Sequence, residues 1–190
     1  MSRKLVTVQR IESLTPIPKA DKIELCKLEG LGWSFVVKKG DYTVGDDAVY
    51  FETDSFIPDT NNNFEFLRTS CYKQMPDGKH GYRIKTVRLR GQVSQGLLMP
   101  MNILPRSRYT IGQDVSELLG VTKWEPPMPK CLSGKAKGTF PSFLVKTDET
   151  RVQLLQSVIN RYVDTNCYVS EKIDGSSVTY YINNDVFGVC

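Results

Sequence analysis

Between residues 3 and about 120 the chain is written as short alternating segments separated by turn signals, and this pattern restricts its fold more than any other feature. Leu5-Val6-Thr7-Val8-Gln9-Arg10-Ile11 alternates, and Ile23-Glu24-Leu25-Cys26-Lys27-Leu28 does so with a clean period of two. Trp33 to Lys38 follows Gly30 and Gly32, and Ala48 to Glu52 follows Gly45-Asp46-Asp47. Tyr82 to Arg90 alternates again, turns at Gly91, and resumes at Gly96-Leu97-Leu98-Met99-Pro100. About five strands of this length in about a hundred residues predict a small closed barrel. Trp33, Phe35 and Phe51 are expected in its core. Asp59 to Gly81 is long, polar and asparagine-rich, which predicts an elaborated loop. Asp114 to Val121 is expected to form one short helix.

The character changes after residue 121. Glu125-Pro126-Pro127-Met128-Pro129 and Ser133-Gly134-Lys135-Ala136-Lys137-Gly138 have the composition of a linker. The expected organisation is a barrel domain over 1–121, a linker over 122–142, and a second unit over 143–190. In that unit Thr147 or Asp148 can cap a helix, with Asp148 and Glu149 at its positive end. Leu155, Val158, Ile159 and Tyr162 recur at helical spacing, with Val152 and Leu154 widening the apolar stripe. Cys167 to Glu171 then reads as a strand, Ser177 to Ile182 as another, and Asn183-Asn184-Asp185 as a turn into Val186-Phe187-Gly188-Val189-Cys190. The fold class expected is mainly β, with an α/β C-terminal part.

Charge narrows the partners. The 190 residues carry a formal net charge of +4, which is mild, but the basic residues are concentrated. From Arg68 to Arg90 there are seven (Arg68, Lys73, Lys79, Arg83, Lys85, Arg88, Arg90) against one acid, Asp77. From Met128 to Lys146 there are four lysines and no acid. Such clusters either neutralise phosphates or form a solvated basic face. Arg88 and Arg90 are expected on one side of a strand with Lys85 on the other, where a sheet face would grip a phosphate backbone. Tyr72 and Tyr82 are candidates for stacking on bases. No apolar run is long enough to span a membrane, and the first residues lack a signal-peptide pattern. Five scattered cysteines suit neither a disulfide framework nor a zinc site, so an intracellular, reducing compartment is expected. A single histidine, His80, makes histidine-based catalysis an unfavoured reading.

The chemistry concentrates at Glu171-Lys172-Ile173-Asp174-Gly175-Ser176-Ser177. A nucleophilic lysine must be unprotonated, held beside its electrophile, and close to groups that neutralise the leaving phosphate. A free lysine, with a pKa near about 10.4, is neutral in roughly one molecule in several thousand at pH 7, so a neighbouring cation or metal must lower it. Lys172 is the candidate nucleophile. Gly175 lets backbone approach a phosphate closely. Asp174 supplies a carboxylate for a hydrated Mg2+ (or Mn2+), or for orienting the lysine. Lys-x-Asp-Gly by itself also describes a surface turn closing a hairpin.

Two more segments arrive in order: Arg88-Leu89-Arg90-Gly91-Gln92-Val93-Ser94-Gln95-Gly96-Leu97, and Phe140-Pro141-Ser142-Phe143-Leu144-Val145-Lys146-Thr147-Asp148-Glu149-Thr150-Arg151-Val152-Gln153. With Ser170 to Ser177 they resemble the ATP-dependent RNA ligases that carry an OB domain ahead of the nucleotidyltransferase domain (the Deinococcus and Naegleria type). The resemblance spans nearly the whole chain. It implies an OB fold for the barrel and the start of an ATP-grasp-like nucleotidyltransferase after the linker. It also implies ATP with Mg2+ or Mn2+ as cofactors, RNA or an RNA-containing nicked duplex as partner, and a monomer.

By the same resemblance Lys172 attacks the α-phosphate of ATP, Glu171 lies at the adenine edge, and Lys146 and Arg151 lie near the nucleotide. The residues themselves also allow a solvated Lys146 and an Arg151 paired with Asp148 or Glu149. Family segments expected downstream include a further arginine, metal-binding carboxylates and a late lysine pair. They are not in this sequence, so the chain is expected to be an N-terminal fragment with little or no ligase activity alone. Two other readings remain open at this stage: a nucleic-acid-binding module without catalysis, and another lysyl-nucleotidyltransferase such as a DNA ligase or a capping enzyme.

Overall fold

A computed structural model describes residues 3–127, 134, 140–145, 151–171 and 178–190. Its framework is a long first strand, β1 (Val6–Pro16), which pairs along its first half with β4 (Asp47–Phe51) and along its second half with β2 (Ile23–Leu28). The register shifts between Ile11 and Ser13, where an extra residue bends the strand. With β3 (Ser34–Lys38) and β10 (Leu97–Pro100) the antiparallel order is β10-β4-β1-β2-β3. A hairpin, β8 (Thr86–Leu89) and β9 (Gln92–Gln95), lies against β3, and the Val36 N–H donates to Ser94 Oγ at 3.0 Å. This curled sheet is the barrel expected from the alternation.

A second sheet runs β11-β5-β7-β6, from β5 (Ser55–Pro58), β6 (Tyr72–Gln74), β7 (His80–Arg83) and β11 (Thr122–Lys123). β1 and β4 are therefore buried on both faces. Val6, Val8, Val49 and Phe51 pack with Ile57, Phe64, Tyr82, Val115 and Leu119. On the other face Ile11, Ala48 and Tyr50 pack with Cys26, Leu28, Trp33, Phe35 and Leu98. Trp33, Phe35 and Phe51 are core residues, as their apolar size requires.

Several expectations change. The run from Tyr82 to Arg90 is two strands, because Ile84 exchanges backbone bonds with Ser55 and Asp54 before the chain leaves for β9. The segment after Asp59 is partly ordered: a 3-10 turn over Asn62–Leu67 and α1 (Arg68–Cys71) are pinned to the core by Phe64 and Leu67. Asp114 to Val121 is a series of turns, since Asp114 bridges to Thr7 and its carboxylate accepts from the Ser116 N–H. Thr122–Lys123, at the start of the expected linker, extends the second sheet beside β5.

Beyond the barrel, a 3-10 turn (Val152–Leu154) precedes α2 (Gln156–Arg161), a far shorter helix than the apolar stripe predicts. Val158, Ile159 and Tyr162 are exposed, so no partner surface rewards extending it. The expected cap residues Thr147 and Asp148 lie outside the described residues. Cys167 to Glu171 is exposed and pairs with no described strand. β12 (Tyr180–Asn183) and β13 (Val186–Val189) form the expected hairpin, with Asn184 and Asp185 at positive φ in its turn. No helix is long and apolar enough to cross a membrane among the described residues.

Candidate functional site

The basic residues of the barrel divide by local geometry. Arg88 is exposed on β8, whereas Arg90 belongs to the two-residue turn Arg90-Gly91, at φ 50° and 81°, that joins Leu89 to Gln92. Positive φ at both positions is what the right-handed twist of a tight hairpin demands. Lys85 is exposed in the link before β8. The three therefore line the rim and tip of a hairpin, not two faces of one strand. None of them forms an ion pair with another described residue.

The Ser94-Gln95-Gly96 sequence fixes that hairpin to the barrel. Ser94 is buried and accepts from Val36, and the Gln95 carbonyl accepts from the Tyr50 hydroxyl at 3.2 Å. Gly96 has φ 123°, and a Cβ there would sit 2.5 Å from the Phe51 carbonyl oxygen. Burial, and then the charge of Glu52, push the Tyr50 phenol far above its ordinary value, so it stays a donor.

Arg151 has partners that sequence reasoning missed. Its Nη1 donates to Thr53 Oγ1 at 2.9 Å, its Nη2 lies 3.8 Å from Asp54 Oδ2, and its guanidinium lies 5.8 Å from the centre of the Trp33 ring. Asp54 is held at φ 68°, and its Oδ1 accepts from Arg83 Nη2 at 2.8 Å and Nε at 3.1 Å. One carboxylate is thus bracketed by two guanidiniums. Two residues on, the Gln153 carbonyl accepts from the Gly32 N–H at 2.8 Å, where a Cβ on Gly32 would crowd Gln153. Leu154 packs against the barrel cluster containing Trp33. Residues 151–154 are strapped to the barrel between its β2–β3 and β4–β5 connections. The only sequence signal for this was the polar Glu52-Thr53-Asp54 between two apolar strands.

The tyrosines also separate. Tyr82 is buried and its hydroxyl donates to Glu65 at 2.9 Å, so it is not a free stacking surface. Tyr72 is half-buried, with Arg68 4.9 Å from its ring centre and His80 offset-stacked on it. Glu65 accepts from both Arg68 and Tyr82, and the Arg68 hydrogen bond first, then that of Tyr82, hold its carboxyl below the usual range.

Of the residues assigned to nucleotide chemistry, Glu171 is exposed at the end of an extended run. Lys172, Asp174, Gly175 and Lys146 lie outside the described residues. No group of three or more metal-ligating side chains occurs among the described residues.

Comparison with known proteins adds independent findings. An apo aspartate-to-alanine variant of Naegleria gruberi RNA ligase is 44% identical, with a TM-score of 0.80, over 99% of this chain and 55% of its own. The same ligase with PPi is 42% identical, with a TM-score of 0.74, over 100% of this chain and 55% of its own. A lysine-to-alanine variant with ATP and Mn is 44% identical, with a TM-score of 0.73, over 99% and 54%. The chain spans about half the length of these relatives. No curated protein matches it. A family model described as an OB-fold domain matches residues 5–101, half of the sequence and most of the curled sheet. The chain belongs to this OB-fold domain family.

Proposed function

We propose that this chain carries the OB domain and the nucleotide-accepting segment of an ATP-dependent RNA ligase, with the barrel unit running through Trp124 rather than ending at 121, a linker from there to 142 and the beginning of a nucleotidyltransferase over 143–190. The observation that carries the reading is identity of 42–44% to an RNA ligase over 99–100% of the chain, a span that contains the Lys172-Ile173-Asp174-Gly175 segment. That relative has been solved as variants at a lysine and at an aspartate two positions later, the spacing of Lys172 and Asp174. That relative is also solved with AMP and Mn and with ATP and Mn.

In the proposed reaction the Lys172 amine attacks the α-phosphate of ATP, a P–N bond forms, and pyrophosphate leaves. The AMP passes to a 5′-phosphate RNA end, and the 3′-hydroxyl of the neighbouring strand attacks that end and expels AMP. Glu171 is assigned to the adenine edge, and Lys146 and Arg151 to the surroundings of the nucleotide. A carboxylate such as Asp174 suits a hydrated Mg2+ or Mn2+, and when bound such an ion neutralises phosphate charge. Arg88, Arg90 and Lys85, exposed and without an ion-pair partner among the described residues, are assigned to the RNA backbone. Cys26, Cys71, Cys167 and Cys190 are free thiols, in keeping with a reducing compartment.

The test is covalent labelling. The protein as its gene encodes it, incubated with α-labelled ATP and Mg2+, should take a covalent label, stable in alkali and released by acid, that Lys172→Ala abolishes. Label that persists in Lys172→Ala, or its complete absence from the wild type, would remove the ligase reading. The basic hairpin supports a second reading, an RNA-binding module without catalysis. That reading predicts salt-sensitive RNA binding with no label.

A further inference from the structure

We propose that the Tyr72–His80 stack on the β6–β7 edge is a second RNA-contacting site, one that receives an unpaired base. The proposal rests on the reading of RNA as the partner, but it concerns a surface separate from the β8–β9 hairpin. β6 is the last strand of its sheet, and the two strands pair Tyr72 with Tyr82 and Gln74 with His80. Tyr72, Gln74, His80 and Tyr82 therefore share one face.

On that face the Tyr72 and His80 rings lie 5.7 Å apart and 19° from parallel. Tyr72 is fixed from three directions. Its hydroxyl donates to Asp59 Oδ2 at 3.0 Å, Arg68 lies over its ring, and Tyr82 meets it at 59° from beneath the surface. Arg68 is itself held by Glu65, which is anchored by Tyr82. The imidazole lies nearly parallel to the Tyr72 ring, offset from it, and is exposed to solvent.

A rigid aromatic step that ends in a solvent-facing ring is suited to a nucleobase, because every base has a π-face and stacking is tolerant of sequence. The local charge fits a polyanion. Glu65, Asp77 and Asp59 are engaged by Arg68, Lys79 and Tyr72, while the exposed Lys73, next to Tyr72, forms no ion pair with another described residue. The His80 backbone is held in β7 and accepts from the Asp59 N–H, but its exposed imidazole makes no hydrogen bond to another described residue. The stack belongs to the 59–81 excursion and not to the five-stranded sheet, so it widens the footprint of the barrel.

Fluorescence anisotropy with a short 5′-labelled single-stranded RNA tests the site across a salt series. His80→Ala should weaken binding at least about fivefold, by the usual contribution of one stacked base. It should do so at every salt concentration, leaving the slope of affinity against salt unchanged. His80→Phe should restore binding to within about twofold, since a phenyl ring still stacks on a base. Arg88→Ala with Arg90→Ala should instead flatten the salt slope. Wild-type affinity in His80→Ala, failure of His80→Phe to rescue, or no binding of the RNA by the wild type would overturn the site. Ring-dependent binding, together with no label on Lys172 in the protein as its gene encodes it, would support the site and count against the ligase reading.

Discussion

The barrel and the β12–β13 hairpin are written in the same alternating code, yet they reach opposite ends of the burial scale. Val6, Val8, Val49 and Phe51 have no exposed surface, whereas Ile182 and Phe187 are 75% and 64% exposed. The difference lies in the layers. β1 and β4 are covered by a second sheet on one face and the barrel interior on the other. β12 and β13 are held by each other, by a Tyr180–Phe187 stack and by Phe143 edge-on to Tyr181. Alternation specifies a hairpin; only a facing layer turns that hairpin into core.

The sharpest way to break this comparison is to remove one ring from each region. Phe51→Ala should cost about 3–5 kcal/mol in urea unfolding of the barrel. Phe187→Ala should stay within about 0.5 kcal/mol for the same transition. Similar losses for both would mean that the two regions unfold as one body.

Gly96→Ala comes next. Its left-handed backbone should cost about 1–3 kcal/mol, with the contact against Phe51 adding to that, and the β8–β9 hairpin should loosen first. Hydrogen exchange at Val36, whose amide is held by Ser94, would report the loosening.

Arg151→Ala probes the strap between the regions. Unfolding should change by no more than about 1 kcal/mol, because the arginine is well exposed. The Gly32 amide should exchange faster while Val6 and Val8 keep their protection. Unchanged exchange at Gly32 would show that Arg151 does not hold the strap.

The smallest effect is chemical. Burial, and then the charge of Glu24, push the Cys26 thiol up to about 11, so iodoacetamide at pH 8 should modify exposed Cys167 and leave Cys26 intact. A raised thiol favours the folded, protonated form. Its contribution is fully present below the ordinary thiol value and is lost as pH climbs from there through about 11.

Much of the barrel was legible because its signal is local: β2, β3, β4 and the Arg90-Gly91 turn each follow from neighbouring residues. The split of Tyr82 to Arg90 was not, since it depends on Ser55 and Asp54, nearly thirty positions upstream. Arg151 shows the same limit more sharply. Locally it had Asp148, Glu149 or a nucleotide as prospects, and its hydroxyl partner Thr53 lies 98 positions away. The Lys172 motif could be read because its chemistry sits in consecutive residues, while its placement lies outside what the structure describes.

Trp124 has a consequence for how the chain is made. Its backbone N–H donates to the Asp54 carbonyl, its ring lies near Phe56 and Arg83, and the backbone N–H of Val115 upstream donates to the Val6 carbonyl. The first strand synthesised is therefore closed by some of the last residues of the barrel. A nascent chain emerging from the ribosome must keep β1 unsatisfied on one side until residues 112–124 have appeared. The stretch matched by the OB-fold family ends at residue 101, short of the residues that satisfy the free edge of β1.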